Sequence, residues 1–269
     1  MKVIEDKNLY PDEKTPLLNH YSDFDSVYIA LLPFFKLYRE NYSSFSSKKI
    51  ATIDDINDIE DEEIINILKT SNTVIYASND DYPNNEEILE KGIIVTWSEI
   101  ISNTKIQNNR DLNKALMTSI GGYKKKLQRE DLLEILNNHT INNEIWHPTE
   151  GLFDTFSISL IYKLLIHINI KSVIIEDETY ENSRTIDIQT LTEKEFQEMI
   201  NSDDYYIYTD DKSLLFSISW DFFFFFIAIN ENVISKELVE NIFEGFWANE
   251  KTNHLWTWKE GEMEKILNT

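Results

Sequence analysis

The chain has 269 residues, with 48 Asp and Glu against 25 Lys and Arg, for a formal net charge of −23. It contains no cysteine, which excludes disulfides, thiolate nucleophiles and Cys-ligated zinc. At 42% hydrophobic and 13% aromatic residues it can fill a large core, while so negative a surface repels nucleic acid and anionic lipid at long range.

The N-terminus, MKVIEDKNLYPDEKTP, has no apolar signal core, and no stretch is long and apolar enough for a membrane span. A cytoplasmic location is therefore expected. Asp25–Tyr38, DSVYIALLPFFKLY, is apolar almost throughout, and Pro33 disfavours a helix across it. A buried strand ending near Pro33 is expected. Asp54–Glu63, DDINDIEDEE, packs seven carboxylates into ten residues, a pattern of solvated loops and helix starts. A short amphipathic helix over Asp61–Thr70 and a strand over Thr73–Ser78 should follow.

NNEEILEKG reads as a helix with an Asn cap, acids in its first turn and a stop at Gly92. Thr96 and Glu99 form a capping box before WSEIISN. NRDLNKALMTSIGG and REDLLEILNN give two more helices, and Phe153–Ile168 a longer, largely buried one. Lys171–Asp177 and Arg184–Gln189 look like strands, and Thr192 with Glu195 sets a second capping box. YYIYT, LLFSISW and FFFFIAI read as three strands of an antiparallel meander. A helix at Lys236–Phe243 and the aromatic tail FWANEKTNHLWTW close the chain. This order predicts an α+β fold, with a helical middle region and a C-terminal antiparallel sheet packed with helices. Residues 1–150 form an N-terminal mixed and helical region and 151–269 a C-terminal α+β region, packed as one compact unit.

Five phenylalanines, Phe222–Phe226, follow a Trp-Asp pair. Phe222–Ile229 fits one interior strand covered on both faces. One face should meet the helix Phe153–Ile168, the other the C-terminal helix or Trp256 and Trp258. Asp221 suits a tight turn before that strand; in the competing reading it sits at a pocket mouth lined by aromatics.

YPNNEEILEKGIIVTWSEI, DLNKALMTSIGGYKKKL, YTDDKSLLFSISWDFFFFFIA and FEGFWANEKTNHLWTW, in this order, resemble a bacterial family of Bacillus-like Firmicutes, domain of unknown function 2711. The resemblance spans roughly residues 24–258. It implies a layout and no particular chemistry. Where the family pattern is more polar and often carries histidines beside the Trp-Asp pair, this chain holds Ser219, Phe222 and Phe223, which weakens any metal or acid–base site at that turn.

Catalytic signatures are sparse. None of the five histidines shows H-E-x-x-H spacing, and no G-x-S-x-G elbow occurs. WHPTEG places His147 three residues before Glu150, so an enzyme with a small-molecule pocket near Asp221 or near His147 and Glu150 is one alternative. His147, Glu150, Trp220, Asp221 and Glu244 are its candidate pocket residues. A second alternative is a DNA-binding helix-turn-helix over 97–119, contacting DNA through Arg110, Asn113 and Lys114, although nucleic acid is disfavoured by the charge. No cofactor and no metal are expected. The leading expectation is a non-enzymatic protein that binds a macromolecule, such as a basic protein partner. The composition is analogous to that of immunity or antitoxin-like proteins.

Overall fold

The computed structural model describes residues 8–38, 82–219 and 221–268, and the backbone of two short strands at 50–51 and 75–76. The chain begins with α1 (Leu17–His20), β1 (Ser26–Leu31) and β2 (Phe34–Leu37), then β3 (Ile50–Ala51) and β4 (Ile75–Tyr76). The middle comprises α2 (Asn85–Lys91), β5 (Gly92–Val95), α3 (Trp97–Ser102), α4 (Asn109–Ser119), α5 (Glu130–Asn142) and α6 (Thr155–His167). The last part comprises β6 (Ser172–Asp177), β7 (Ser183–Asp187), α7 (Glu193–Met199), β8 (Asp204–Tyr208), β9 (Leu214–Ser217) and β10 (Phe224–Ile229). It ends with α8 (Lys236–Ile242), β11 (Gly245–Trp247) and α9 (Glu262–Leu267). The fold is α+β. The acidic run Asp54–Glu63 and the expected helix Asp61–Thr70 lie outside the described residues, and of the strand at 73–78 only Ile75–Tyr76 lies within them.

The helices begin where the caps predict. Thr96 and Thr192 each accept the backbone N–H three residues on, and Glu99 and Glu195 reciprocate. Asn84, Asn108, Asp154 and Ser235 cap α2, α4, α6 and α8 with their side chains. Gly92 ends α2 but continues directly into β5, which the sequence pattern did not reveal. Strand β1 stops at Leu31, and past Pro33 the chain enters a separate ribbon in which β2 pairs with β5.

The main sheet runs β11-β1-β10-β9-β8-β6-β7, antiparallel at every pairing. The N-terminal strand β1 therefore lies between two C-terminal strands. On its β11 side the fit demands glycine: a Cβ on Gly245 would sit 2.0 Å from the Ile29 carbonyl oxygen.

Strand β10 is interior, between β1 and β9, and all six of its residues are buried. Its side chains alternate between two cores, as strand geometry requires. Phe225 and Ile227 face α6, with Phe225 5.4 Å from Phe153 and 5.8 Å from Phe243 between ring centroids. Phe224 and Phe226 face the other way, where Phe224 meets Trp256 at 5.3 Å. Two details differ from the sequence expectation. The C-terminal helix α8 packs on the same face as α6, through Val239. The opposite face is covered by Trp256, as expected, but also by the middle helices α3, α4 and α5, through Trp97, Leu112, Leu116 and Leu136. Trp258 is buried elsewhere, beside Tyr123 and Lys114. The sheet is thus sandwiched between two helical layers, which accounts for its long apolar strand. Among the described residues no helix is long and apolar enough to cross a membrane.

Candidate functional site

Of the residues singled out from sequence, Glu244 has the clearest structural role. Its Oε2 accepts the Trp97 backbone N–H at 2.7 Å, and its Oε1 accepts the Ser98 N–H and hydroxyl at 2.8 and 2.7 Å. The carboxylate thus satisfies orphan donors at the start of α3. His147 is half-buried, with Nε2 3.0 Å from the Thr140 hydroxyl oxygen and its ring edge-on to Phe34. Glu150 and Asp221 are exposed. Asp221 has φ 77°, a left-handed turn position that Asp tolerates better than most residues, and it leads into the phenylalanine strand. Trp220 lies outside the described residues.

The helix pair 97–119 is built into the domain. Asn113 is fully buried and donates to the Thr257 hydroxyl at 2.7 Å. Lys114 is 5% exposed, pairs with Glu262 at 3.2 Å and lies 4.1 Å from the Trp258 ring centre. Of the three proposed DNA contacts only Arg110 is exposed. The C-terminal tail occupies the face that a recognition helix would present to a groove. Among the described residues no group of three His, Asp or Glu side chains is arranged to hold a metal ion.

The structure does form a cleft of about 270 Å³ beside the loop that carries His147 and Glu150. Neither of those residues lines it, but their neighbours Pro148 and Thr149 do. The apolar wall comprises Phe35 from β2, Ile88 from α2, and Phe153 and Phe156 at the start of α6. The polar lining is Tyr82, Asn85, Thr149, Asp154, Thr155, Asn201 and Ser202. The walls are tied together: the Thr155 hydroxyl donates to Asn85 Oδ1 at 2.9 Å, and Lys194 of α7 reaches Glu86 of α2 at 3.5 Å.

Among the described residues, Asp154 is the one charged residue of this lining. As the cap of α6, its Oδ1 accepts the N–H groups of Phe156 at 2.8 Å and Ser157 at 3.1 Å, and its Oδ2 accepts the Ser157 hydroxyl at 2.6 Å. Burial pushes its carboxyl pKa above the usual range, against the pull of those hydrogen bonds. Tyr82 is 47% exposed and stands edge-on to Phe35 and Trp146 at 5.9 and 5.5 Å. Burial raises its phenol pKa, and the negative charges of Asp154 and Glu150 add to the rise, while a hydrogen bond with Thr149 opposes it. The cleft is therefore aromatic on one side and electronegative at one end. Sequence reading missed Asp154 because the helix was started at Phe153. The D-T-F-S order at 154–157, a cap acid with a serine three residues on, was the available signal.

Residues 13–258 match the family model described as "Protein of unknown function (DUF2711)", and the chain belongs to that family. It is also similar to the uncharacterized protein YwbB of Bacillus subtilis (strain 168), with 30% identity over 183 residues, covering 65% of this chain and 77% of that one. No solved structure matches the chain significantly.

Proposed function

We propose that the protein is a non-catalytic binding protein whose partner is a basic polypeptide, docked over the cleft between α2, the 148–156 loop and the end of α7. The observation that carries this reading is the cleft lining, which among the described residues combines aromatic side chains with a carboxylate and no cationic side chain. A negative pole in a low-dielectric wall attracts positive groups and rejects anions. The net charge of −23 adds long-range steering towards a basic surface. Glu244 is committed to capping α3, the His147 ring lies against the Thr140 hydroxyl, and none of His147, Glu150, Asp221 and Glu244 lines the cleft, which favours binding over an acid–base reaction.

The test is titration of the full chain with lysine- and arginine-rich peptides, read by fluorescence anisotropy at several salt concentrations, with acidic peptides as controls. Affinity for basic peptides should fall as salt rises and weaken in Asp154→Asn and Tyr82→Ala. Mass spectrometry should recover the peptides unaltered. Failure of every basic peptide to bind at low salt would end this reading, and turnover of a bound peptide would replace it with an enzymatic one.

A further inference from the structure

We infer that the cleft accepts a primary ammonium on an unbranched alkyl stem, the chemistry of a lysine side chain, in preference to a guanidinium. This rests on the reading of the protein as a binder of a basic polypeptide and concerns the same cleft.

The inference follows from the bonds Asp154 already makes. An ionised carboxylate offers about two acceptor positions on each oxygen, roughly four in all. Oδ1 accepts two backbone N–H groups, from Phe156 and Ser157, so both of its positions are filled. Oδ2 accepts the Ser157 hydroxyl and the residue's own backbone N–H also faces the carboxylate, which leaves it at most one open position. A guanidinium recognises a carboxylate by laying two parallel N–H donors against both oxygens, and its advantage over ammonium lies in that fork. The fork has no matching edge here, because one of its two acceptors is occupied. An ammonium is a compact point charge with three rotatable donors and needs only one position on the carboxylate. The side-chain oxygens of Thr149, Asn201 and Ser202 in the same lining can take its remaining protons.

The rest of the cleft suits the stem. Its volume of about 270 Å³ lies below the range of roughly 300–1,000 Å³ usual for drug-sized ligands and is ample for one long side chain. Phe35, Phe156 and Ile88 provide apolar surface along which methylenes can lie. Tyr82, half-exposed at the rim, presents a ring to the cation as it enters.

The experiment uses the full chain and two kinds of probe. The first is the matched pair n-butylamine and n-butylguanidine, titrated by NMR and read at Tyr82, Asn85 and Asn201. The second is a set of degenerate peptide libraries with a fixed central lysine, arginine or Nε-acetyl-lysine. The ammonium probe should bind roughly tenfold tighter than the guanidinium, the size of one charge-assisted hydrogen bond. Lysine libraries should outbind arginine and acetyl-lysine libraries in the same order. Asp154→Asn, which keeps a capping oxygen on α6, should abolish the preference without shifting the thermal midpoint by more than a few degrees. Tyr82→Ala, at a half-exposed position, should weaken both probes. Equal or tighter binding of guanidinium overturns the inference while leaving a basic polypeptide as partner. Ammonium binding as described, with no library bound, keeps the ammonium site and removes the polypeptide reading. If nothing binds, both fall.

Discussion

Glu244 holds the start of helix α3 by accepting the backbone N–H of Trp97, across 147 positions of sequence. The same tryptophan donates its indole N–H to the Leu32 carbonyl at 2.8 Å and is fully buried. The pair therefore ties the edge of the main sheet to the helical layer. Glu244→Ala should destabilise the protein by about 1–2 kcal/mol, the range for loss of a helix cap, and lower the melting temperature by several degrees. Glu244→Gln, which keeps one acceptor oxygen, should lose less. Thermal unfolding by circular dichroism distinguishes the three proteins; equal midpoints would remove the clasp from the stability of the fold.

Phe224 and Phe225 are each 1% exposed and point into different cores. Truncation of either to alanine should cost about 3–5 kcal/mol, the usual range for a buried phenylalanine. Phe222 is only half-buried, and Phe222→Ala should cost less. Urea midpoints of the three variants check the sandwich directly. A parent-like midpoint for either buried position would mean that its face of the sheet is open.

His254 is 8% exposed, and among the described residues neither of its ring nitrogens has a hydrogen-bond partner. It lies edge-on to Tyr10 and Phe222 at 5.1 and 4.6 Å, with Asp12 the nearby charge. Burial pushes its pKa down to about 4, and the attraction of Asp12 offsets little of this. The unfolded chain therefore binds the proton more readily than the folded one. Above pH ~6.5 both states are neutral and the residue adds no pH dependence. As pH falls from there towards about 4, stability should drop by a total of about 3 kcal/mol, then level off. Urea unfolding of the parent and of His254→Phe between pH 7 and pH 4 isolates this component from the titrating carboxylates. Parallel curves would show that the imidazole is solvated in solution.

Lys114 sits against Trp258 and pairs with Glu262, so it fixes the C-terminal tail to α4. Lys114→Ala should destabilise by roughly 1–3 kcal/mol through lost cation–π contact and charge pairing. Exposed Arg110→Ala should change stability by no more than about 0.5 kcal/mol. If Lys114→Ala instead melts like the parent and lowers affinity for duplex DNA, the tail is not held by this lysine and the helix pair reads DNA.

The helices were legible because their signals are local. The Thr96 and Thr192 capping boxes, the Asn84 cap and the glycines after α4 each act within a few residues, and each marks a real helix end. The phenylalanine strand was legible because an eight-residue apolar run admits few other structures. Strands β5 and β11 escaped notice because they are short and lie at sheet edges, so neither has a burial pattern of its own. The role of Glu244 and the position of β1 depend on partners far along the chain, which no window of sequence contains. The cleft was half visible. The sequence singles out His147 and Glu150, which flank the lining residues Pro148 and Thr149, but the rest of the lining comes from β2, α2, α6 and the end of α7, and only folding brings those segments together.

The place of β1 in the sheet has a consequence for how the protein is made. Ser26 pairs with Ile229 and Leu31 with Phe224, so this strand has no sheet partner until nearly the whole chain exists. At typical translation rates it leaves the ribosome about 10–40 s before β10 does. During that interval Val27–Phe35, almost wholly apolar, has nowhere native to go. Closing so large a loop also slows the search for the correct pairing. The unpaired first strand is an aggregation hazard until β10 emerges, and a C-terminal truncation ahead of β10 should leave an aggregating product rather than a smaller folded one.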